Sequence, residues 1–300
     1  MSNSHCKNTP RLFPFPHIKP VTQKSMIRLI RNLLSLLLIV VSTHLLTILP
    51  VMAEVQETAK ITEAQLQAGD ALAEKAFSAT QSGDFVTAEA YWTQLIEQFP
   101  TNPAIWSNRG NARVSQNKLK DAIADYTKAM ELAPTATDPY LNRGTALEGL
   151  GEWEAAIADY NHLLELDPND AMAYNNRGNA KAGLGKWSEA IADYQHSAEL
   201  APNFAFARAN YALALYQTGD IETATRTMRN LVRKYPQFPD MRAALTAALW
   251  EQGKRGEAES NWVAVVGLDS RYKHLEWVKE VRRWPPVMVA ALEKFLTLQN

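Results

Sequence analysis

The sequence predicts an all-α solenoid: about six stacked helix pairs, closed by a C-terminal capping helix. Two observations predict it. First, Ala88, Ala122, Ala156, Ala190, Ala224 and Ala258 stand 34 residues apart, and a period of that length marks stacked helical units. Second, each alanine keeps the same company at fixed offsets. Four residues on comes a large side chain: Trp92, Tyr126, Tyr160, Tyr194, Met228 or Trp262. Twelve residues on comes Pro100, Pro134, Pro168, Pro202 or Pro236, with Ser270 the one departure. Five residues before comes Gly83, Asn117, Gly151, Gly185, Gly219 or Gly253.

Each mark has a mechanical reason. Gly or Asn lets the chain turn left-handed after a first helix. The alanine lets a second helix approach the first. The large residue four positions on shares that helical face and fills the space between the helices. The proline ends the second helix and opens the next unit. One such pair cannot bury its apolar face alone, so neighbours must complete the core.

With these marks in "LGEWEAAIADYNHLLELDPND", the chain resembles the tetratricopeptide repeat family. The resemblance covers 69–272 as six units: 69–102, 103–136, 137–170, 171–204, 205–238 and 239–272. It implies a right-handed superhelix whose first helices line an inner groove. A linker, 54–68, precedes the repeats, and 273–300 follows them as a capping segment with Met288, Leu292, Phe295 and Leu296 on one helical face. A competing reading makes this tail a partner or membrane-surface contact, through Arg271, Lys273, Lys279, Arg282 and Arg283 beside Trp277 and Trp284. Its "RRWPP" and "ALEKFL" runs are similar to the ends of exported repeat proteins of cyanobacteria and chloroplast lumens.

The first 53 residues read differently. They hold six basic residues and no acidic one. From Met26 to Ala53 a positive start leads into an apolar run and a "PVMA" ending, the pattern of a signal peptide cleaved after Ala53. The alternative is an uncleaved anchor, since Leu33–Met52 is long enough to span a bilayer; His44, Thr43, Thr47 and Pro50 weaken it. Either way the body is expected outside the cytoplasm, in a periplasm or thylakoid lumen. Residues 54–300 carry 25 basic and 32 acidic residues, a net of −7, which argues against nucleic-acid partners. Cys6 is the only cysteine, so the body offers no disulfide framework and no thiolate metal site.

"NRGNA" at Asn108, "NRGTA" at Asn142 and "NRGNA" at Asn176 recur at the same period. Gly110, Gly144 and Gly178 fall on the face that meets the second helix, so they read as close-packing residues and not as a phosphate loop. Arg109, Arg143 and Arg177 co-occur with Asp125, Asp159 and Asp193, sixteen residues on, and the other three units lack both members. This pattern predicts a structural ion pair inside each of three units. Asn108, Asn111, Asn142, Thr145, Asn176, Asn179 and Asn210 fall on the opposite face. There they form a ladder able to grip the main chain of a bound peptide. Asn is a mediocre helix former, which argues mildly against plain solvated surface. Met172 and Phe206 place an apolar patch near the same face. Family members that hold a C-terminal carboxylate also use Lys or Arg there, and none stands at those positions here.

His162 and His196 share one unit position, with no further ligand at metal spacing. No catalytic constellation is recognisable, so the expectation is no enzyme, no cofactor and no metal. The leading reading is an exported scaffold that binds a peptide or helix of another protein, as an assembly factor or chaperone for membrane or lumenal complexes. The alternative is a membrane-anchored structural subunit, held by the N-terminal hydrophobic segment.

Overall fold

The computed structural model describes residues 62–297. The signal or anchor read at 1–53, its cleavage point and the start of the linker lie outside the described residues. Among those residues the chain is all-helical, with no strand. It divides into two compact bodies between Pro134 and Thr135.

The first body holds α1 (Glu63–Gln81), α2 (Phe85–Gln98), α3 (Pro103–Ser115) and α4 (Leu119–Leu132). Thr62 and Gln65 start α1 with a reciprocal capping box. Asp84 caps α2, and Asn102 caps α3 with Pro103 in its first turn. Ala76, Ala88, Trp92, Leu95 and Ile105 form the core, with Phe77 edge-on to Trp92 at 4.9 Å.

The second body starts with α5 (Thr137–Leu150) and α6 (Trp153–Leu166), then α7 (Ala171–Gly183) and α8 (Trp187–Leu200). It goes on with α9 (Ala205–Gln217), α10 (Ile221–Lys234), α11 (Pro239–Glu251) and α12 (Arg255–Leu268). Odd-numbered helices up to α11 are thus first helices of repeats, and even-numbered ones second helices. The residue five before each marker alanine is left-handed in all six repeats, with φ of 77° at Gly151 and 61° at Asn117. Asn is the residue that tolerates this conformation best after Gly.

After α12 come a 3-10 turn (Ser270–Lys273), α13 (Leu275–Glu280) and α14 (Pro286–Thr297). The last helix caps the array by lying on α11 and α9, the first helices of repeats 6 and 5. It buries Met288, Leu292 and Phe295 into a core that also contains Met228, Met241, Leu249 and Val265. Phe295 meets both Trp250 and Trp262 edge-on at 5.2 Å. No described helix is long and apolar enough to cross a membrane.

Candidate functional site

The recurrent cluster resolves into three jobs. A Cβ added at Gly110, Gly144 or Gly178 would come within 2.6 Å of Tyr126, Tyr160 or Tyr194. Each glycine therefore lets the tyrosine ring of the second helix lie against the first helix, and those rings are buried.

The arginines close the same helix pairs. Arg109 donates to both oxygens of Asp125 at 3.0 and 2.6 Å, Arg143 to Asp159 at 2.8 and 2.6 Å, and Arg177 to Asp193 at 2.9 and 2.7 Å. The three aspartates are buried, where a carboxylate needs such a partner. Two aspartates take a second cation absent from the sequence reading: Arg113 reaches Asp125 and Lys181 reaches Asp193, both at 2.8 Å. Each lies one helical turn beyond its repeat's arginine, a spacing that could have revealed it. Arg109 and Arg177 also reach back to the preceding repeat, to Thr93 and Asn161.

The asparagines differ from the expectation of a free ladder. Asn176 is buried and donates to Thr145 of the repeat before. Asn210 donates to Asn175 at 2.9 Å and Asn179 at 3.1 Å, again one repeat back. Asn175 donates to Asn176, and Tyr194 donates to Asn179. Tyr126 likewise donates to Asn111 at 2.8 Å. These amides tie one first helix to the next and hold two of the buried tyrosines, so part of their hydrogen-bonding capacity is engaged within the protein. Asn142 is half-buried on α5. Asn108 is buried with its Nδ2 unpartnered. The equivalent acceptor is missing one repeat back: repeats 2, 3 and 4 carry Asn111, Thr145 and Asn179 at that place, whereas the first has Phe77, which cannot accept a hydrogen bond.

Around Phe206 the apolar surface takes in two further rings. Phe206 is 36% exposed, and its ring meets Phe204 and Phe238 edge-on at 6.4 and 5.5 Å. Phe204 and Phe238 end two successive units, so the period could have shown them. Met172 is half-buried at the start of α7.

For Arg282 and Trp284 the tail corrects the reading of a partner or membrane contact, since both turn into the fold, while Arg271, Lys273 and Lys279 are exposed. Asp240, buried at the start of α11, accepts from Arg282 at 3.1 and 2.8 Å, Trp284 at 2.9 Å and Tyr272 at 2.6 Å. Burial opposes its charge, yet the Arg282 guanidinium and these donors hold the carboxyl below the usual range. Arg283 crosses to repeat 3, donates to the Glu148 carbonyl oxygen at 3.0 Å, and lies over the Trp153 ring. It does so in a left-handed conformation, φ 51°, which costs a non-glycine residue about 1–2 kcal/mol. Glu148 itself is buried, and burial pushes its carboxyl up to about 8 against the opposing effects of the Tyr160 hydroxyl and the Arg283 charge. Its Oε1 accepts from Tyr160 at 2.6 Å.

The two histidines pack on aromatic rings: His162 against Tyr140 at 4.5 Å and His196 against Tyr174 at 4.4 Å.

Comparison with known proteins agrees with this architecture. Models described as TPR repeat match 110–151 and 149–185, and models described as tetratricopeptide repeat match 171–204 and 210–237. No curated protein matches the chain. Among solved structures, a tetratricopeptide repeat protein from Parabacteroides merdae is similar at 24% identity, over 78% of this chain and 87% of that one, with a TM-score of 0.59. MamA from Desulfovibrio magneticus RS-1 is similar at 17% identity, over 55% and 93%, with a TM-score of 0.51. Another MamA structure gives 22% identity, 57% and 93%, and a TM-score of 0.50. At these identities the likeness is one of fold. The matched segments and the 34-residue helix pairs together establish that this chain carries tetratricopeptide repeats.

Proposed function

We propose that the protein is an interaction scaffold that takes an extended or helical segment of another protein on the face of its first helices. The observation that carries this reading is the protein's own tail. Over repeats 5 and 6 that face already holds a helix, α14, and a strap anchored by charge-assisted hydrogen bonds to Asp240. The face is thus chemically suited to a bound segment. Further along, over repeats 4 and 5, Met172 and the Phe204–Phe206–Phe238 cluster offer an apolar anchor of the kind that binding sites use. Asn142 on α5 and Asn179 on α7 add amides with acceptor and donor capacity on the first helices.

The finer reading is an exported assembly factor or chaperone in a periplasm or thylakoid lumen. It is supported by the signal-like run ending at Ala53 and by a body poor in cysteine. The alternative is a subunit anchored through that same run. One purification tests both points. A mature chain that begins at Glu54 supports export with cleavage, and a chain that retains the run in the membrane fraction supports the anchor. Partner capture is then compared between the wild-type body and a Met172→Asp/Phe206→Asp variant of equal melting temperature. Loss of the captured protein is expected. Undiminished capture would remove the face from the account.

A further inference from the structure

Three positions along each second helix, the first and third exposed in repeats 1 to 5, form a row, and repeat 5 breaks its pattern. The first position is Ala90, Ala124, Ala158 and Ala192 in repeats 1 to 4, and Arg226 in repeat 5. The second is Thr93, Thr127, Asn161 and Gln195, then Arg229. The third is Glu97, Glu131, Glu165 and Glu199, then Arg233. Three neutral or acidic positions thus become arginine together, within one chain whose body is net negative. A helix needs no arginine at mid-length to be soluble, and its sibling helices manage with alanine and neutral polar residues. Only Arg233, in the last turn, is accounted for by the helix dipole.

The structure gives this row a cavity. Repeat 6 has Ser260 and Gly267 at two of the same positions, and small side chains there cannot cover the arginines. Beside α10 a cavity of about 540 Å³ opens, lined by Arg226, Arg229, Arg233 and Lys254, with Glu222 the one acid. Its polar floor is held in place: Gln252 donates to Thr225 at 2.8 Å, and Lys254 donates to Gln252 at 3.2 Å. Among the described residues, Arg229 alone of the three has a carboxylate within 3 Å, Glu257 at 2.6 Å. Arg226 stands 3.9 Å from Glu222, and among the described residues Arg233 hydrogen-bonds the amide of Asn230 and no carboxylate.

We propose that this cavity is a second docking site, which takes an acidic segment of a partner protein. The spacing selects that ligand. Arg226, Arg229 and Arg233 run about 10 Å along the helix. A single phosphate group reaches one or two of them, whereas carboxylates one turn apart on a partner helix meet all three. Glu257 on Arg229 shows the pairing such a segment would extend. A nucleic acid needs a wider basic footprint than this acidic body offers. The site lies on second helices, so it stands or falls independently of the first-helix face.

The test uses the purified full chain and a fluorescent helical peptide with glutamates one turn apart, alongside a version with glutamine in their place. The acidic peptide is expected to bind, to weaken as salt is added, and to bind about tenfold or more weakly to an Arg226→Glu/Arg229→Glu/Arg233→Glu variant. A Lys186→Glu/Lys273→Glu control is expected to bind as wild type, with unfolding by circular dichroism checked for all. Equal binding of the glutamine peptide, no binding at all, or equal loss in the control would overturn the proposal. So would tighter binding of inorganic triphosphate or of phosphatidylserine vesicles through the same arginines, or self-association of the chain that the triple variant abolishes.

Discussion

Asn108 and Asn210 occupy the same place in their repeats and have opposite fates. Asn210 donates to two acceptors on the preceding first helix, while Asn108, with Phe77 at the equivalent place one repeat back, leaves its buried amide unpartnered among the described residues. A buried donor without a partner costs about 1–3 kcal/mol, and a satisfied one contributes about 1 kcal/mol net. Asn108→Leu is therefore expected to leave stability unchanged or raise it by about 1 kcal/mol. Asn210→Leu should lower it by about 1–2 kcal/mol, because Asn175 loses its donor. Urea denaturation of both variants checks this, and equal losses would contradict it. The contrast also marks what the sequence makes legible. Contacts inside one helix pair follow from spacing: Gly144 against Tyr160, or Arg143 on Asp159, sixteen residues apart. The partner of a position-six amide lies 31 residues back and depends on how neighbouring repeats are rotated, which the period alone does not fix. Reading the preceding repeat at that offset, Phe77 in one case and Asn179 in the other, would have exposed the difference.

At the scale of elements, the tail is the part least visible in the sequence. Its amphipathic last helix can be read from spacing. The reach of Arg283 to Glu148, 135 residues away, cannot. The buried acid it touches makes the contact depend on pH. The folded carboxyl of Glu148 titrates near 8 instead of 4.5, so between those values the folded state keeps a proton that the unfolded chain releases. Its contribution is fully present below about pH 4.5 and is lost as pH rises through 8. A tenfold change in proton affinity between the two states is worth about 1.4 kcal/mol, so the loss is on the order of 5 kcal/mol. Thermal melts of the wild-type body are expected to fall from pH 5 to pH 8.5, and Glu148→Gln should flatten that slope while keeping an acceptor for Tyr160. An unchanged slope in the variant would assign the effect to another group.

For the whole chain, the repeat explains both what is shared and what stands out. Six units with the same marks build the array, and departures from the pattern draw the eye to function: apolar residues on the first helices of repeats 4 and 5, arginines on the second helix of repeat 5, a buried acid in repeat 3. The charge balance agrees, since a net of −7 beyond residue 53 leaves the arginine stripe as a local exception. The central claim is that the first-helix face holds a partner segment beside the protein's own tail. A photo-crosslinking amino acid placed at Met172, in the full chain expressed in its own cell, tests it most directly. A single protein adduct is expected at Met172, and none from the same probe at Gln195 on the outer stripe of repeat 4. An adduct at Gln195 with none at Met172 would contradict it.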